Sequence, residues 1–198
     1  MAGRVVAIVG SYRPGGTVDS VVEAILDGAR EKGAETRTFF LRDEHIEFCT
    51  NCRACTQQPG ETRGECPHKD AMEDILAAVD EADALVLASP VNFWNVTAVY
   101  RRFLERLVRY AYWPWGQPAP KQRSNRIRRT AVLVATSAAP GFFIPIATGA
   151  SRVLRQTAKL LGARPVGSMW LGLSSKEPHQ ELSERTIARA RRIGLRLV

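Results

Sequence analysis

The sequence predicts an α/β fold in which five parallel strands form a doubly wound sheet with helices on both faces. Three observations point there. Short apolar runs alternate with amphipathic stretches along the chain, as a parallel sheet with crossover helices requires. The run Ala84–Ala88 (ALVLA) is apolar at every position, the pattern of a strand buried on both faces. The first apolar run leads through a glycine-rich turn, GSYRPGGT, straight into a helical pattern. Right-handed crossovers between successive strands complete the doubly wound layout.

Taken in order, Arg4–Val9 (RVVAIV) is the first strand and ends at Gly10. Thr17–Lys32 carries Val18, Val21, Val22, Ile25, Leu26 and Ala29 at helical spacing, and Gly33 stops it. Glu35–Leu41 (ETRTFFL) is the second strand. A long stretch rich in polar residues, Pro and Gly follows. The spacing of Asp70 and Glu73 predicts a capping box at the start of a helix over 70–81. Ala84–Ala88 is the third strand. Val96–Tyr110 is a helix with Val99, Phe103, Leu107 and Tyr110 on one face. Tyr112–Pro120 (YWPWGQPAP) is a loop, because three prolines and a glycine forbid regular structure. Thr130–Thr136 is the fourth strand, Phe143–Leu161 a helix, Arg164–Leu171 the fifth strand, and Glu177–Leu197 a closing Arg-rich helix. No repeat or linker divides the chain, so residues 1–198 are read as one domain, with the segment 42–69 as an insertion-like loop.

Composition narrows the function classes. At 198 residues, 45% hydrophobic and 24% charged, the chain can bury a full core. No apolar run approaches the ~20 residues that span a bilayer, and the N-terminus shows no signal-peptide cleavage pattern. A cytoplasmic protein without membrane contact is expected. The formal net charge of +8 raises nucleic acid as a partner. However, Lys occurs only at 32, 69, 121, 159 and 176, and the Arg excess is dispersed, with small runs at Arg126–Arg129 and Arg189–Arg192. No zinc-finger spacing, RNP-like strand or basic zipper is present, so no nucleic-acid partner is expected.

Ligands of doubly wound sheets sit beyond the carboxyl ends of the strands, near the switch in strand order. That rule selects three loops: GSYRPGGT, SPVNFWN and TSAAPGFF. In the first, small residues let backbone amides face an anion at a helix start, while Ser11, Thr17 and Arg13 add donors. Its spacing resembles a P-loop, but Gly16 stands at the lysine position and removes the counter-charge for a triphosphate. The dinucleotide fingerprint G-x-G-x-x-G is also absent. A single phosphomonoester fits better. In the second loop, Pro90 stiffens the exit and Phe93 and Trp94 offer apolar faces to a flat ring. The third loop is made of small residues that permit close approach.

These motifs carry a resemblance. VAIVGSYRPGGT, the cysteine stretch running into HKDAMEDI, and ADALVLASPVNFWNVTAVYRRFLER together resemble the NAD(P)H-dependent FMN reductase family of flavodoxin-like proteins. The resemblance implies a flavodoxin-like sheet of order 2-1-3-4-5, FMN as cofactor and NAD(P)H as co-substrate. It implies that Ser11, Arg13, Gly16, Thr17 and Val18 hold the FMN phosphate. Pro90, Val91, Asn92, Phe93 and Trp94 would line the isoalloxazine ring, with Ser137 and Gly141 at its far edge. Gly16 replaces an Asn and Asn92 a Tyr that the family often has. The second change passes cover of the ring to Phe93, Trp94 or a partner subunit. The family also forms homodimers or homotetramers, to which the aromatic segment Tyr112, Trp113 and Trp115 would contribute; folding back as a lid on its own domain is the other reading. Flavin carries the hydride and electron chemistry itself. No catalytic acid or base is therefore required, and His45, His68 and His179 are read as surface residues. A serine hydrolase is disfavoured because the G-x-S-x-G elbow is missing. The implied activity is oxidoreduction of a small-molecule acceptor such as a quinone, flavin, or azo or nitro compound.

Every cysteine lies in CTNCRACTQQPGETRGEC: Cys49, Cys52, Cys55 and Cys66. The step C-x2-C-x2-C suits thiolates converging on one [4Fe–4S] cluster, whereas zinc usually takes two separated knuckles. Iron–sulfur flavoproteins resemble this stretch, but their fourth cysteine follows more closely than the ten residues of Thr56–Glu65 allow. The expectation is reduced thiols in a structured loop and no bound metal. A 4Fe–4S electron-transfer flavoprotein using all four cysteines is the alternative.

Overall fold

The computed structural model describes residues 2–174 and 180–197. Its strands are β1 (Arg4–Val9), β2 (Glu35–Phe40), β3 (Ala84–Pro90), a short antiparallel hairpin of β4 (Ala111–Tyr112) and β5 (Lys121–Gln122), then β6 (Arg129–Thr136) and β7 (Ala163–Leu171). All but the hairpin form one parallel sheet in the order β2-β1-β3-β6-β7, which is 2-1-3-4-5 when only its own strands are counted. The fold is the expected flavodoxin-like one. β3 is central, buried from Ala84 to Ser89, which is why it shows no polar alternation. The edge strands β2 and β7 are only partly buried, and β7 carries Pro165 beside a register shift opposite Ala131/Val132, where an edge tolerates both.

Helices α1 (Thr17–Arg30), α2 (Met72–Glu81), α3 (Ala98–Arg106), α4 (Ile144–Ala147), α5 (Ala150–Leu160) and α6 (Glu184–Gly194) cover the two faces. α1 and α6 bury one face with Val21, Ile25 and Ala190 against Val5, Val86 and Val134. α2, α3 and α5 bury the other with Ile75, Phe103 and Leu154 against Ile8, Leu87 and Leu133. α1 and α6 nearly touch, because a Cβ on Gly28 would lie 2.1 Å from Arg191 O and one on Gly194 1.9 Å from Ile25 O. No helix among the described residues is long and apolar enough to cross a membrane.

Several local expectations are corrected. The capping box does not form. Asp70 accepts from Met72 N at 3.0 Å, but Glu73 turns away to Arg109 and Arg63, because charge pairing outweighs one weak backbone bond. The helix expected over Val96–Tyr110 is α3 capped by Thr97, then tightens to a 3-10 turn at Leu107–Tyr110. The helix expected over Phe143–Leu161 is broken in two. Thr148 is extended, and Gly149 donates its N–H to Trp94 O at 2.7 Å, a tertiary bond that competes with helix continuation. The closing helix begins only at Glu184, where Ser183 caps Thr186 N; its expected start at 177–179 lies outside the described residues, as does His179.

Candidate functional site

Three loops meet over the carboxyl ends of β1, β3 and β6 and enclose a cleft of about 340 Å³. The first wall is the start of α1. Gly16 occupies the cap position and brings no side chain to satisfy the first amides of the helix. Those N–H groups and the positive end of the helix therefore face the cleft unclaimed. Ser11, Arg13, Gly16, Thr17 and Val18 all line it. Arg13 is exposed, and no carboxylate among the described residues pairs with it. Arg13 is the sole charged side chain on the described wall, so the potential there is positive. A donor set of hydroxyls, amides and one guanidinium without a carboxylate fits a phosphomonoester.

This loop is held from behind. Asp19, in the first turn of α1, accepts from Gly15 N at 3.0 Å and pairs at 3.0 Å with Arg42, itself mostly buried. Arg42 also donates to Ser11 O at 3.2 Å. The Ser11 hydroxyl accepts from Arg13 N at 3.2 Å, which fixes the turn. On the inner side Thr97 donates to Gly10 O at 2.6 Å while capping α3, so the first and second loops are tied together. Asp19, Arg42 and Thr97 escaped sequence reasoning, since only the fold brings positions 19, 42 and 97 behind residue 11. Tyr12, Thr136 and Ala138, which belong to the selected loops but were not singled out, also line the cleft, as does Ser174, which lies outside all three loops.

The second loop splits into two roles. Pro90, Val91 and Asn92 line the cleft, with Val91 N bonded to Thr136 O at 2.8 Å. Phe93 and Trp94 do not reach the wall. Asn92 and Asn95 pair as a two-residue hairpin, whose tip holds Phe93 and Trp94 at φ of 43° and 64°. That left-handed backbone turns both rings outward, leaving Phe93 fully exposed and Trp94 70% exposed. In the third loop Ser137 lines the cleft and its hydroxyl donates to Ala139 O at 2.7 Å. Gly141 sits off the wall, packed so tightly under β7 that a Cβ would lie 2.4 Å from Trp170 O. Beyond it Phe142 and Phe143 stack at 4.3 Å and are exposed, as is Ile146.

The cysteine loop lies along α2 and α3. Despite the ten-residue gap, Cys66 returns to Cys49, Cys52 and Cys55, and all four line one cavity of about 20 Å³. That volume holds about one water. Among the described residues no group of three or more His, Cys, Asp or Glu is arranged to hold a metal ion. The donor types suit a cluster; the space between them does not. Burial pushes the Cys55 thiol up, with Cys66, Cys49 and Cys52 adding to it against Arg109. Arginines fasten this loop. Arg106 and Asp70 form an ion pair with both side chains buried, and Arg106 also donates to Glu47 O at 2.8 Å and reaches Cys66 Sγ at 3.4 Å. Arg53 lies between the rings of Trp113 and Trp115 at 3.8 and 4.1 Å. The aromatic segment thus folds back on the cysteine loop, the second of the two sequence readings. His45 is exposed, and His68 keeps a buried Nε2 without a partner.

Comparison with known proteins agrees with this architecture. Over 111 residues the chain is 33% identical to an iron–sulfur flavoprotein of Archaeoglobus fulgidus, covering 56% of this chain and 48% of that one. Over 103 residues it is 34% identical to an iron–sulfur flavoprotein of Methanocaldococcus jannaschii, covering 52% and 51%. The chain therefore spans about half the length of the curated relatives it matches. Among solved structures, an NAD(P)H:quinone oxidoreductase from Methanothermobacter marburgensis superposes with a TM-score of 0.72 at 19% identity over the full length of both chains. An archaeal flavodoxin gives 0.57 at 10% identity, covering 98% and 95%. The sequence profile of the NADPH-dependent FMN reductase family matches residues 3–177, and the chain belongs to that family.

Proposed function

We propose that the protein is an FMN-dependent NAD(P)H oxidoreductase that passes electrons to a small-molecule acceptor, a quinone, free flavin, or azo or nitro compound. One observation carries this reading: a single cleft, with no carboxylate among its lining residues, joins an uncapped helix start to an apolar strip at the switch in strand order. Ser11, Arg13, Gly16, Thr17 and Val18 would hold the phosphate. Pro90, Val91 and Asn92 would lie along the ring, with Ser137 and Ala138 at its far edge. Bound FMN supplies the hydride and electron chemistry, and the chain binds and orients it and keeps one side accessible. Residues 1–198 would act as one flavin-binding unit. Phe93, Trp94, Phe142, Phe143 and Ile146 expose apolar surface on adjoining loops, which supports assembly as a homodimer or homotetramer near the cleft. The test is purification with flavin analysis and steady-state NAD(P)H oxidation. A yellow protein with one FMN per chain and turnover with quinone or flavin supports the reading; a colourless protein that FMN does not bind refutes it.

A second reading, an electron-transfer flavoprotein with a [4Fe–4S] cluster, rests on the convergence of all four cysteines despite the long gap. The loop would have to open around the cluster, because about 20 Å³ cannot contain one. Anaerobic purification with iron and sulfide assays separates the two: four iron and four sulfide per chain favour the second, and none favours the first.

A further inference from the structure

A second cavity, of about 200 Å³, opens at the opposite end of the sheet. Its rim includes Arg129, the first residue of β6, whereas the flavin cleft touches Thr136, the last. At ~3.3 Å per strand residue the two sites are roughly 23 Å apart. Five guanidiniums line this cavity, those of Arg63, Arg123, Arg126, Arg128 and Arg129, against two carboxylates, Glu61 and Asp80.

The carboxylates are already engaged. Asp80 pairs with Arg63 and accepts from Tyr110 Oη at 3.0 Å. Glu61 stands 3.8 Å from Arg126. Among the described residues Arg123, Arg128 and Arg129 pair with no carboxylate. Arg123 spends its donors on neutral carbonyls, those of Arg109, Gly60 and Cys55, at 3.1, 3.3 and 3.1 Å. Each of its terminal nitrogens keeps a second N–H. Arg129 is 93% buried by its 7% exposure and donates to the last carbonyls of α2, Val79 O and Asp80 O, while its Nε finds no acceptor. Carbonyls satisfy its geometry but not its charge. Burial lowers its pKa, and Arg128 lowers it further, while Tyr110 and Asp83 only partly oppose the fall. A cation this deep with no carboxylate paired to it, and with Asp83 acting on it only from beyond pairing distance, sits beside an open cavity and further arginines, an arrangement that an anion would complete. The remaining wall is partly apolar, formed by Tyr110, Leu160 and Leu161.

The geometry points to a second ligand site here, one that takes the phosphoryl group of a small phosphate ester. The guanidiniums of Arg123, Arg126 and Arg128 surround its oxygens, and Tyr110, Leu160 and Leu161 bear on the organic part. The flavin cleft has one arginine and a helix start, whereas this site has a cluster of arginines and no helix start, so the two differ in how they would hold an anion.

The test is calorimetric titration of FMN-saturated protein with inorganic phosphate and, separately, with phenyl phosphate. One saturable site per chain is expected, and Arg126→Gln/Arg128→Gln should weaken it roughly tenfold or more without changing flavin affinity. Tighter binding of phenyl phosphate assigns the site to esters that use the apolar wall; equal or tighter binding of inorganic phosphate overturns the ester assignment. No saturable binding, or undiminished binding in the double variant, overturns the site itself. Repeating the titration on Ser11→Ala/Thr17→Val without FMN separates this site from the flavin cleft. Failure of the flavin reading and failure of this one are thereby distinguishable.

Discussion

Replacing Arg106 with leucine should be among the most damaging single changes outside the sheet. Arg106 and Asp70 have side-chain exposures of 1% and 0%, so each ion is sheltered from water and depends on the other. Leucine removes two hydrogen bonds to Asp70, one to Glu47 O and the contact with Cys66 Sγ. It leaves a buried carboxylate with only the amides of Glu47 and Met72. Breaking one partner of a buried pair costs about 3–5 kcal/mol. For a chain of this size each kcal/mol moves Tm by about 2–4 °C, which places the drop near 10 °C. The pH dependence sharpens the test. Burial alone would raise Asp70, but the Arg106 hydrogen bond and then the Glu47 and Met72 amides hold it below the usual aspartate range. A depressed folded pKa means stability fully present above about pH 4 and lost as pH falls through the lower folded value. In Arg106→Leu the buried carboxyl loses its main support, so its pKa should rise instead, and protonation should relieve the penalty. Urea unfolding at 25 °C should therefore show a large wild-type–variant gap at pH 7 that shrinks towards pH 4. A gap below about 1 kcal/mol at pH 7, or one that does not change with pH, would refute the reasoning.

Three further outcomes are expected. Thr17→Val with Ser11→Ala should weaken FMN binding by about one to two orders of magnitude in a fluorescence-quenching titration, because the proposed phosphate site would lose two charge-assisted donors, while the fold is kept and Tm falls only slightly with the loss of the Ser11 hydroxyl's bond from Arg13 N. Gly194→Val should destabilise by about 1–3 kcal/mol in urea, since even a Cβ there meets Ile25 O at 1.9 Å and α6 must move off α1. Timed alkylation at pH 7 with peptide mapping should label exposed Cys52 first and Cys55 last, since Cys55 is buried and its thiol is pushed up; early labelling of Cys55 would contradict the packing of the loop.

Local patterns were enough to specify much of this protein. Continuous apolar runs identified the strands, and the central position of ALVLA followed from the absence of polar residues that only a strand buried on both faces allows. The turn GSYRPGGT declared an anion-facing helix start, because glycine at the cap leaves the first amides unclaimed whatever the remainder of the fold does. Ser11, Arg13, Thr17 and Pro90 were accordingly legible in the loops themselves, the family resemblance added Gly16, Val18, Val91, Asn92 and Ser137, and the structure gathers all nine on one cleft. Phe93 and Trp94 were not: apolar character suited a ring site, but the direction of a side chain depends on φ, and the Asn92–Asn95 pairing sets both residues left-handed and outward. Helix ends failed for the same kind of reason, since Glu73 and Gly149 found stronger partners far away in sequence. The arginines show the division most clearly. Composition showed an excess of dispersed positive charge. Only the tertiary structure decided that Arg106 is buried against Asp70, that Arg53 lies between two tryptophans, and that Arg123, Arg128 and Arg129 share one cavity. Local propensity acts over a few residues, whereas a guanidinium is committed by whichever carbonyl, carboxylate or ring the folded chain brings within reach.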